Sequence, residues 1–238
     1  GTNEIIDGST IRRVGEPIDA WFGYKTAGLY QSAEEIENWP KNTIYSTQLK
    51  PGDLKYVDVT GEGEVDSEDR VVLGQQIPPF NFGFNFGIEY KHFDFLALFQ
   101  GTLGGNGYMN FDAIGATNGD AQKPAKFWLK RWNPNNTNTD VPRVIDNIYG
   151  PSMPQNSTTD YWLRSTDYLR LKNLQLGYNV TSDKIKKWGV SRLRIYYSAQ
   201  NLFTLTSFLK GWDPEIPSGR GSNYPVVMTN SFGINLSF

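Results

Sequence analysis

The segment Phe80–Tyr90 alternates large apolar residues with small or polar ones. Its apolar residues are Phe80, Phe82, Phe84, Phe86, Ile88 and Tyr90, and its other residues are Asn81, Gly83, Asn85, Gly87 and Glu89. Because side chains alternate between the two faces of a strand, this pattern predicts a β-strand with one apolar face. Four phenylalanines exposed on one face would make a soluble protein aggregate. The same face meets lipid in a transmembrane β-barrel, whose strands need about 9–11 residues to cross the bilayer.

The last eleven residues show the same two-residue period. The large apolar residues are Met228, Phe232, Ile234, Leu236 and Phe238, and the odd-numbered positions hold the small or polar residues Thr229, Ser231, Gly233, Asn235 and Ser237. A strand with one apolar face and a final aromatic residue is typical of outer-membrane barrels. The last strand of a soluble β-sandwich shows the same alternation. This segment alone therefore leaves both alternatives open.

The composition restricts the class of protein further. Aromatic residues make up 14% of the 238 residues, a share suited to the lipid-facing surface and interfacial girdles of a barrel. No apolar run approaches the roughly 20 residues of a membrane helix, so a membrane crossing would use strands. The formal net charge of -2 is too small to indicate a nucleic-acid partner. The chain has no cysteine, which excludes disulfides and thiol chemistry.

The predicted strands are joined by connections that alternate in length. Read backwards from Phe238, the connections are 206–225 (long), 180–190 (short), 104–166 (long), 91–92 (short) and 25–79 (long). Outer-membrane barrels have this asymmetry, with short periplasmic turns and long extracellular loops. We therefore predict an all-β fold: antiparallel strands of the C-terminal part of a large transmembrane β-barrel, with long extracellular loops and one short helix at a periplasmic turn.

Three local features accompany this prediction. The apolar phase shifts within residues 168–178, which indicates either a β-bulge or a departure of the strand from the membrane. The short helix is predicted within residues 181–189, with Thr181 as its cap and Gly189 as its end. His92, the only histidine, lies in a predicted hairpin turn, where we expect it to adopt a positive φ rather than to act in catalysis or metal binding.

An acidic segment, residues 58–69, has the spacing of a twelve-residue calcium loop. The candidate ligands are Asp58, Thr60, Glu62, Glu64 (through its carbonyl), Asp66 and Asp69 at positions 1, 3, 5, 7, 9 and 12. Gly63 occupies the sharp turn at position 6. Thr60 and Glu62 depart from the usual Asp or Asn, and Asp69 is shorter than the usual Glu. The sequence predicts a structural Ca²⁺ site here, and a solvated acidic turn without metal is the alternative.

The long connections carry tryptophans that are candidate substrate-binding residues. These are Trp128, Trp132, Trp162 and Trp212. Aromatic rings in long loops suit a binding surface for sugars or protein, and packing of the loop onto itself is the alternative. The acidic pair Asp213 and Glu215 has no accompanying nucleophile, base or metal motif, so we predict no enzymatic activity. We interpret Asp213 as shaping a turn ahead of Pro214.

The chain also carries a set of short motifs in a fixed order. They are GEPI (15–18), FGYKT (22–26), Gly28-Leu29-Tyr30, PGDLKYVD (51–58), DR (69–70), LG (73–74), RW (131–132), VPR (141–143), DYLRLKNL (167–174), QNLF (200–203) and GWDPE (211–215). In combination they resemble the C-terminal part of the SusC/RagA family of TonB-linked outer-membrane transporters from Bacteroidetes. The resemblance covers residues 10–238.

The resemblance implies import of a glycan or a peptide across the cell outer membrane. It implies a SusD-like surface lipoprotein as a partner, energy from the TonB complex through an N-terminal part that has no counterpart here, and contact with outer-membrane lipid. Residues 1–238 are then expected to be a C-terminal barrel segment of about six strands, without the plug and the N-terminal strands, since a plugged barrel has on the order of 22 strands. The alternative function is a secreted soluble β-sandwich module that binds carbohydrate and holds a calcium clip.

Overall fold

The structure is a computed structural model that describes residues 4–45, 48–109, 126–144, 157–216, 224 and 226–238. The strands are β1 (Glu4–Asp7), β2 (Thr10–Arg13), β3 (Ala20–Gly23), β4 (Thr26–Leu29), β5 (Lys41–Asn42), β6 (Leu54–Tyr56), β7 (Glu64–Val65), β8 (Val71–Gly74), β9 (Phe80–Tyr90), β10 (Phe93–Leu103), β11 (Asn106–Tyr108), β12 (Leu163–Ser165), β13 (Tyr168–Val180), β14 (Arg192–Thr206) and β15 (Thr229–Ser237). The α-helices are α1 (Ala33–Asn38) and α2 (Asp183–Lys186), and 3₁₀ turns span Ser67–Asp69, Lys126–Lys130 and Asp160–Trp162. Within the described residues, no helix has both the length and the hydrophobicity to cross a membrane.

Five long strands form one antiparallel sheet in the order β15-β14-β13-β10-β9. They have nine to fifteen residues each, enough to cross a bilayer. This confirms the strands predicted at 80–90, 168–178 and the C-terminus. Among the described residues this sheet has five strands, and residues 8–30 contribute short strands to other sheets, so the count of about six barrel strands stays a prediction. Parts of the predicted long loops lie outside the described residues: 46–47 in loop 25–79, 110–125 and 145–156 in loop 104–166, and 217–223 and residue 225 in loop 206–225.

The register of the five strands places apolar side chains opposite one another. One row crosses the whole sheet and consists of Ile88, Phe95, Leu176, Tyr197 and Phe232. The phenylalanines of β9 on this face are 39–67% exposed, and Phe232 is 85% exposed. The structure therefore has a continuous exposed apolar face, as expected for lipid contact. We call it the apolar face, and we call the opposite side of this sheet the polar face.

The short connections lie where they were predicted, with two local corrections. In the β9–β10 turn, Lys91 rather than His92 has the positive φ, at 55°. Helix α2 begins at Asp183, and the carbonyl of Ser182 accepts from the N–H of Ile185. Ser182 therefore occupies the cap position predicted for Thr181, whose hydroxyl lies 3.3 Å from Nδ1 of His92 instead. Gly189 ends the turn with a φ of 77°, as predicted.

The predicted bulge in β13 is present and reverses the phase of the strand. Asn173 lies opposite Leu98, while Leu171 lies opposite Phe99, so Lys172 is an extra residue. The register with β14 shifts at the same level. As a result, Leu171 joins the apolar face and Arg170 points to the polar face. Without the bulge, Arg170 would share the apolar face with Leu174.

The remaining described residues form a second compact unit around residues 4–77 and the described parts of 106–164. Its largest sheet has the order β1-β2-β3-β8, and β4-β6, β5-β7 and β11-β12 form pairs. Its core includes Tyr24, Leu29, Leu54, Tyr56 and Val65, with the rings of Tyr24 and Tyr56 stacked at 5.2 Å. This unit is built on its own buried side chains rather than on the long sheet.

We predict that a charge at the centre of the apolar face destabilises the protein in lipid. Phe84→Lys should lower the free energy of unfolding by about 2–4 kcal/mol, because Phe84 lies midway along β9. The measurement is urea unfolding of the full-length protein in phospholipid vesicles, followed by heat-modifiable gel mobility. Asn85→Lys on the polar face is the matched control and should change stability by less than about 1 kcal/mol. Equal midpoints for the two variants would exclude lipid contact at Phe84.

Candidate functional site: polar face and acidic loop

An ion pair on the polar face crosses a whole strand. Arg194 on β14 donates from Nε to Oδ1 of Asp94 on β10 at 3.0 Å, although β13 lies between these strands. Asp94 is opposite Gly177 of β13. A Cβ at Gly177 would lie 2.3 Å from Oδ1 of Asp94 and 2.5 Å from Nη2 of Arg194. Because Gly177 has no side chain, the Asp94 and Arg194 side chains can contact each other across β13.

Further polar groups surround this pair. Asn179 donates from Nδ2 to Oδ1 of Asp94 at 3.2 Å, and Arg192 donates to Oδ1 of Asn179 at 3.1 Å. An open cavity of about 460 Å³ lies over them, and its lining also includes Glu89 and Lys91. The part of the polar face beside the β9–β10 and β13–β14 connections is thus a hydrophilic surface with charges of both signs.

A second charged cluster holds the loop after β14. The guanidinium of Arg170 is 2% exposed at the side chain and donates to Asp213 Oδ1, Glu215 Oε2 and Thr204 Oγ1, each at 2.8 Å. Tyr168 donates its hydroxyl to the other Glu215 oxygen at 2.7 Å. An almost fully buried arginine is stable here because two carboxylates and a hydroxyl satisfy it. We call this group the Arg170 clamp.

The carboxylates of the Arg170 clamp have a structural task. Oδ1 of Asp213 also accepts from the N–H of Glu215 at 2.9 Å, which confirms the turn predicted ahead of Pro214. Trp212 is half-buried and lines a cavity of about 450 Å³ together with Arg170, Thr204 and Lys210. Since the Asp213 and Glu215 carboxylates are bound to Arg170, they do not form the paired acid and base of a hydrolase.

The three other predicted tryptophans lie in the second unit. Trp128 and Trp162 are 4% and 0% exposed, so their rings are part of the core and have no surface to offer a ligand. Trp132 is half-buried, donates from Nε1 to Gln31 Oε1 at 3.1 Å and packs over Gly52. Contact with a substrate stays a prediction for Trp132 and Trp212, whereas Trp128 and Trp162 act in packing.

The acidic loop 58–69 is closed by backbone hydrogen bonds to its first and last carboxylates. Asp58 accepts from the N–H of Gly61 at 2.6 Å and of Gly63 at 2.8 Å. Asp69, which is fully buried, accepts from the N–H of Val59, Thr60 and Asp66 at 2.7–3.0 Å. These bonds draw the two ends of the loop together, which agrees with its predicted role as a structural clip.

The remaining predicted metal ligands are less converged. Asp66 caps the 3₁₀ turn through the N–H of Glu68 at 2.7 Å, Thr60 donates its hydroxyl to Asp58, and Glu62 and Glu64 are exposed. In the part of the chain that the structure describes, no three acidic or histidine side chains are grouped as metal ligands. Calcium binding by the six predicted residues stays a prediction.

The electrostatics of Asp69 follow from its surroundings. Burial alone would raise the pKa of its carboxyl, but the hydrogen bonds donated by Thr60, Asp66 and Val59 outweigh burial and lower the pKa. The ionised form is therefore the one that stabilises the loop.

Comparison with known proteins identifies the relationship. No protein-family model matches the chain. The TonB-dependent receptor P3 of Formosa agariphila is 34% identical over 96% of this chain, and the TonB-dependent receptor SusC of Bacteroides thetaiotaomicron is 29% identical over 82% of it. The structure of the RagAB peptide importer in its open-open state matches 100% of this chain with a TM-score of 0.73 and 25% identity. The chain is homologous to the SusC/RagA transporters. It spans only part of the length of these relatives: 23% of P3, 18% of SusC and 24% of the matched RagAB chain.

The homology to SusC/RagA transporters confirms the family resemblance drawn from the motifs. It assigns the chain to the outer membrane and to a class of proteins that are not enzymes. The five-stranded sheet has the two-sided character of a transmembrane barrel wall, with an exposed apolar face of the kind that meets lipid and a polar face opposite it.

Sequence reasoning missed the residues that organise the polar face of this SusC/RagA homologue. Arg170 was noted only as part of a motif, although the bulge predicted beside it implied a change of face. Asp94 and Arg194 are 100 residues apart, and only Gly177, a glycine inside a predicted strand, could have indicated close contact between them.

We predict that Gly177→Ala breaks the Asp94–Arg194 pair. The new methyl group would overlap both charged groups, so we expect a loss of about 1–3 kcal/mol in urea unfolding of the full-length protein in lipid vesicles. Gly87→Ala on β9 is the matched control, because its Cβ would meet Leu96 Cδ1 at an ordinary 3.6 Å. If both variants unfold at the wild-type midpoint, the overlap does not constrain the sheet.

We predict a pH-dependent effect of Asp69→Asn on the acidic loop. The pKa of Asp69 is lower in the folded state, so its stabilising effect is complete above the unfolded value of about 3.9 and is lost as the pH falls through the folded value. At neutral pH the variant should lose about tenfold in amide-exchange protection across residues 57–70, and the difference should shrink in acid. The measurement is hydrogen exchange by mass spectrometry, corrected for intrinsic rates. Glu68→Gln, at an exposed neighbour, should leave protection unchanged at both pH values; a pH-independent effect of Asp69→Asn would contradict the electrostatic account.

Proposed function

We propose that the chain forms part of the wall of a TonB-dependent transporter that imports a glycan or a peptide across the outer membrane. The observation that carries the proposal is the five-stranded sheet, with its exposed apolar face and its charged polar face, in a homologue of TonB-dependent receptors. A sheet with these two faces separates lipid from an aqueous passage.

The polar face supports passage of the nutrient by lining a hydrated path, without any covalent chemistry. Its ionic groups include the Asp94–Arg194 pair within the sheet and Arg170, which is paired with two carboxylates of the loop after β14. Paired charges keep the wall hydrophilic while leaving few isolated charges to trap a polar solute. The chemistry of the transported nutrient is then selected by the loops.

The partners of the proposed transporter follow from the relatives. RagAB is a peptide importer, and P3 and SusC are TonB-dependent receptors. We propose a SusD-like surface lipoprotein as the partner outside the cell and the TonB complex as the source of energy. The acidic loop is proposed to hold a structural Ca²⁺ ion through the six residues named for it.

The alternative of a soluble carbohydrate-binding β-sandwich fits the structure less well. In a sandwich, the apolar face of each sheet packs against a second sheet. Here Phe80, Phe84, Phe86 and Phe232 are 49–85% exposed, which is stable in lipid and unfavourable in water.

The test is uptake by cells that carry the full-length receptor. A fluorescent oligosaccharide pool and a fluorescent oligopeptide pool are offered to wild-type cells, to cells lacking the receptor and to cells lacking TonB. We expect import of one pool, lost in both mutants, with surface binding kept in the cells without TonB. Import that continues without TonB would overturn the proposal.

A matched pair of variants links uptake to this chain. Arg170→Gln should lower import several-fold, because it leaves the Asp213 and Glu215 carboxylates without their cation and releases the loop. Arg192→Gln, at an exposed arginine of the same sheet, should keep wild-type import. Equal import by both variants would show that the loop position does not matter for transport.

A further inference from the structure

A third cavity lies in the unit around residues 4–77 and is lined by residues of the segment 33–51. Its volume is about 710 Å³, within the range of small-ligand sites. Its apolar lining consists of Ala33, Ile36, Trp39, Pro40, Leu49 and Pro51, and its polar lining consists of Glu37, Lys41, Asn42, Gln48 and Lys50. We call it the Trp39 cavity.

Trp39 is held rigidly at the wall of this cavity. It follows the last residue of α1 in an extended conformation, as required before Pro40. Its indole Nε1 donates to the carbonyl of Tyr56 at 2.6 Å. The ammonium of Lys55 lies 4.6 Å from its ring centroid and is itself ion-paired with Glu35. The ring is thus held by its backbone, by its N–H and by Lys55 over one face, and Trp39 is part of the cavity lining.

A ring fixed in this way is a preorganised platform. Binding a flat ligand surface to it costs little side-chain entropy, because the ring has already lost its freedom. The indole face carries a partial negative charge and attracts the weakly positive C–H groups of a ligand stacked on it.

The polar groups around the platform match hydroxyl groups. Oδ1 of Asn42 accepts from the N–H of Ile44 at 3.0 Å, and among the described residues its NH₂ group has no partner. Gln48 adds a second amide, and Glu37, Lys41 and Lys50 supply charges of both signs. Such a set can both donate and accept, as hydroxyls do, whereas a ligand with one strong charge would be better served by a cluster of the opposite sign.

We propose that the Trp39 cavity is a surface site for a sugar ring of a glycan, stacked on Trp39 and hydrogen-bonded through Asn42 and Gln48. The site would hold a glycan at the receptor before or during uptake, and this physiological role rests on the proposed import function. The binding itself does not depend on TonB.

The test is binding of the purified full-length receptor, in detergent, to an immobilised glycan array and to a peptide array. We expect defined signals on the glycan array that fall roughly tenfold with Trp39→Ala and fall less with Trp39→Phe. The single variant Asn42→Ala should also lower these signals. Trp188→Ala, at a tryptophan that is 82% exposed on the turn containing α2, is the matched control and should keep every signal. Unboiled gel mobility confirms that each variant is folded.

Three results would overturn the proposal: no signal on the glycan array, glycan signals that Trp39→Ala leaves unchanged, or Trp39-dependent signals on the peptide array alone. TonB-dependent uptake is measured separately on the same variants. Glycan binding without TonB-dependent import would disprove the proposed function and leave the site intact, and import without Trp39-dependent glycan binding would do the reverse.

Discussion

The structure depends on the pairing register of five long strands. Hydrogen-bonded pairing keeps like side chains opposite one another, so that rows such as Ile88, Phe95, Leu176, Tyr197 and Phe232 fall on a single side. A slip of one residue in any strand would move its apolar set to the other side. The bulge at Lys172 is such a slip, confined to one level of β13, and it places the charged side chain of Arg170 on the polar face.

Ion pairing on the polar face depends on the size of the side chain that lies between the two charged residues. A side chain on one strand reaches past its neighbour only where that neighbour is small, as at Gly177. Burial of an arginine such as Arg170 costs several kcal/mol unless partners compensate for the lost water. In both clusters the partner residues are distant in the chain: the Asp94–Arg194 pair joins two strands, and the Arg170 clamp joins the sheet to the loop after β14.

Much of the fold could be predicted from the sequence, and the failures have physical causes. The alternation in 80–90 predicted its strand because one face had to be uniform, and the phase shift predicted the bulge. The sequence could not say that Trp162 is buried, since a tryptophan in a loop has the same neighbours in sequence whether it covers a core or faces solvent. Nor could it pair Arg170 with Asp213, 43 residues away. The positive φ at Lys91 was assigned to its neighbour because either turn residue could adopt it.

The Arg170 clamp has a consequence for substitutions in the loop that it holds. The loop after β14 is attached through two carboxylates and a turn, and the exposed side chains such as Lys210 take no part in the attachment. The position of the loop and the chemistry of its exposed surface therefore depend on different side chains. A substitution at Lys210 changes the surface of the loop and leaves the Arg170 clamp intact.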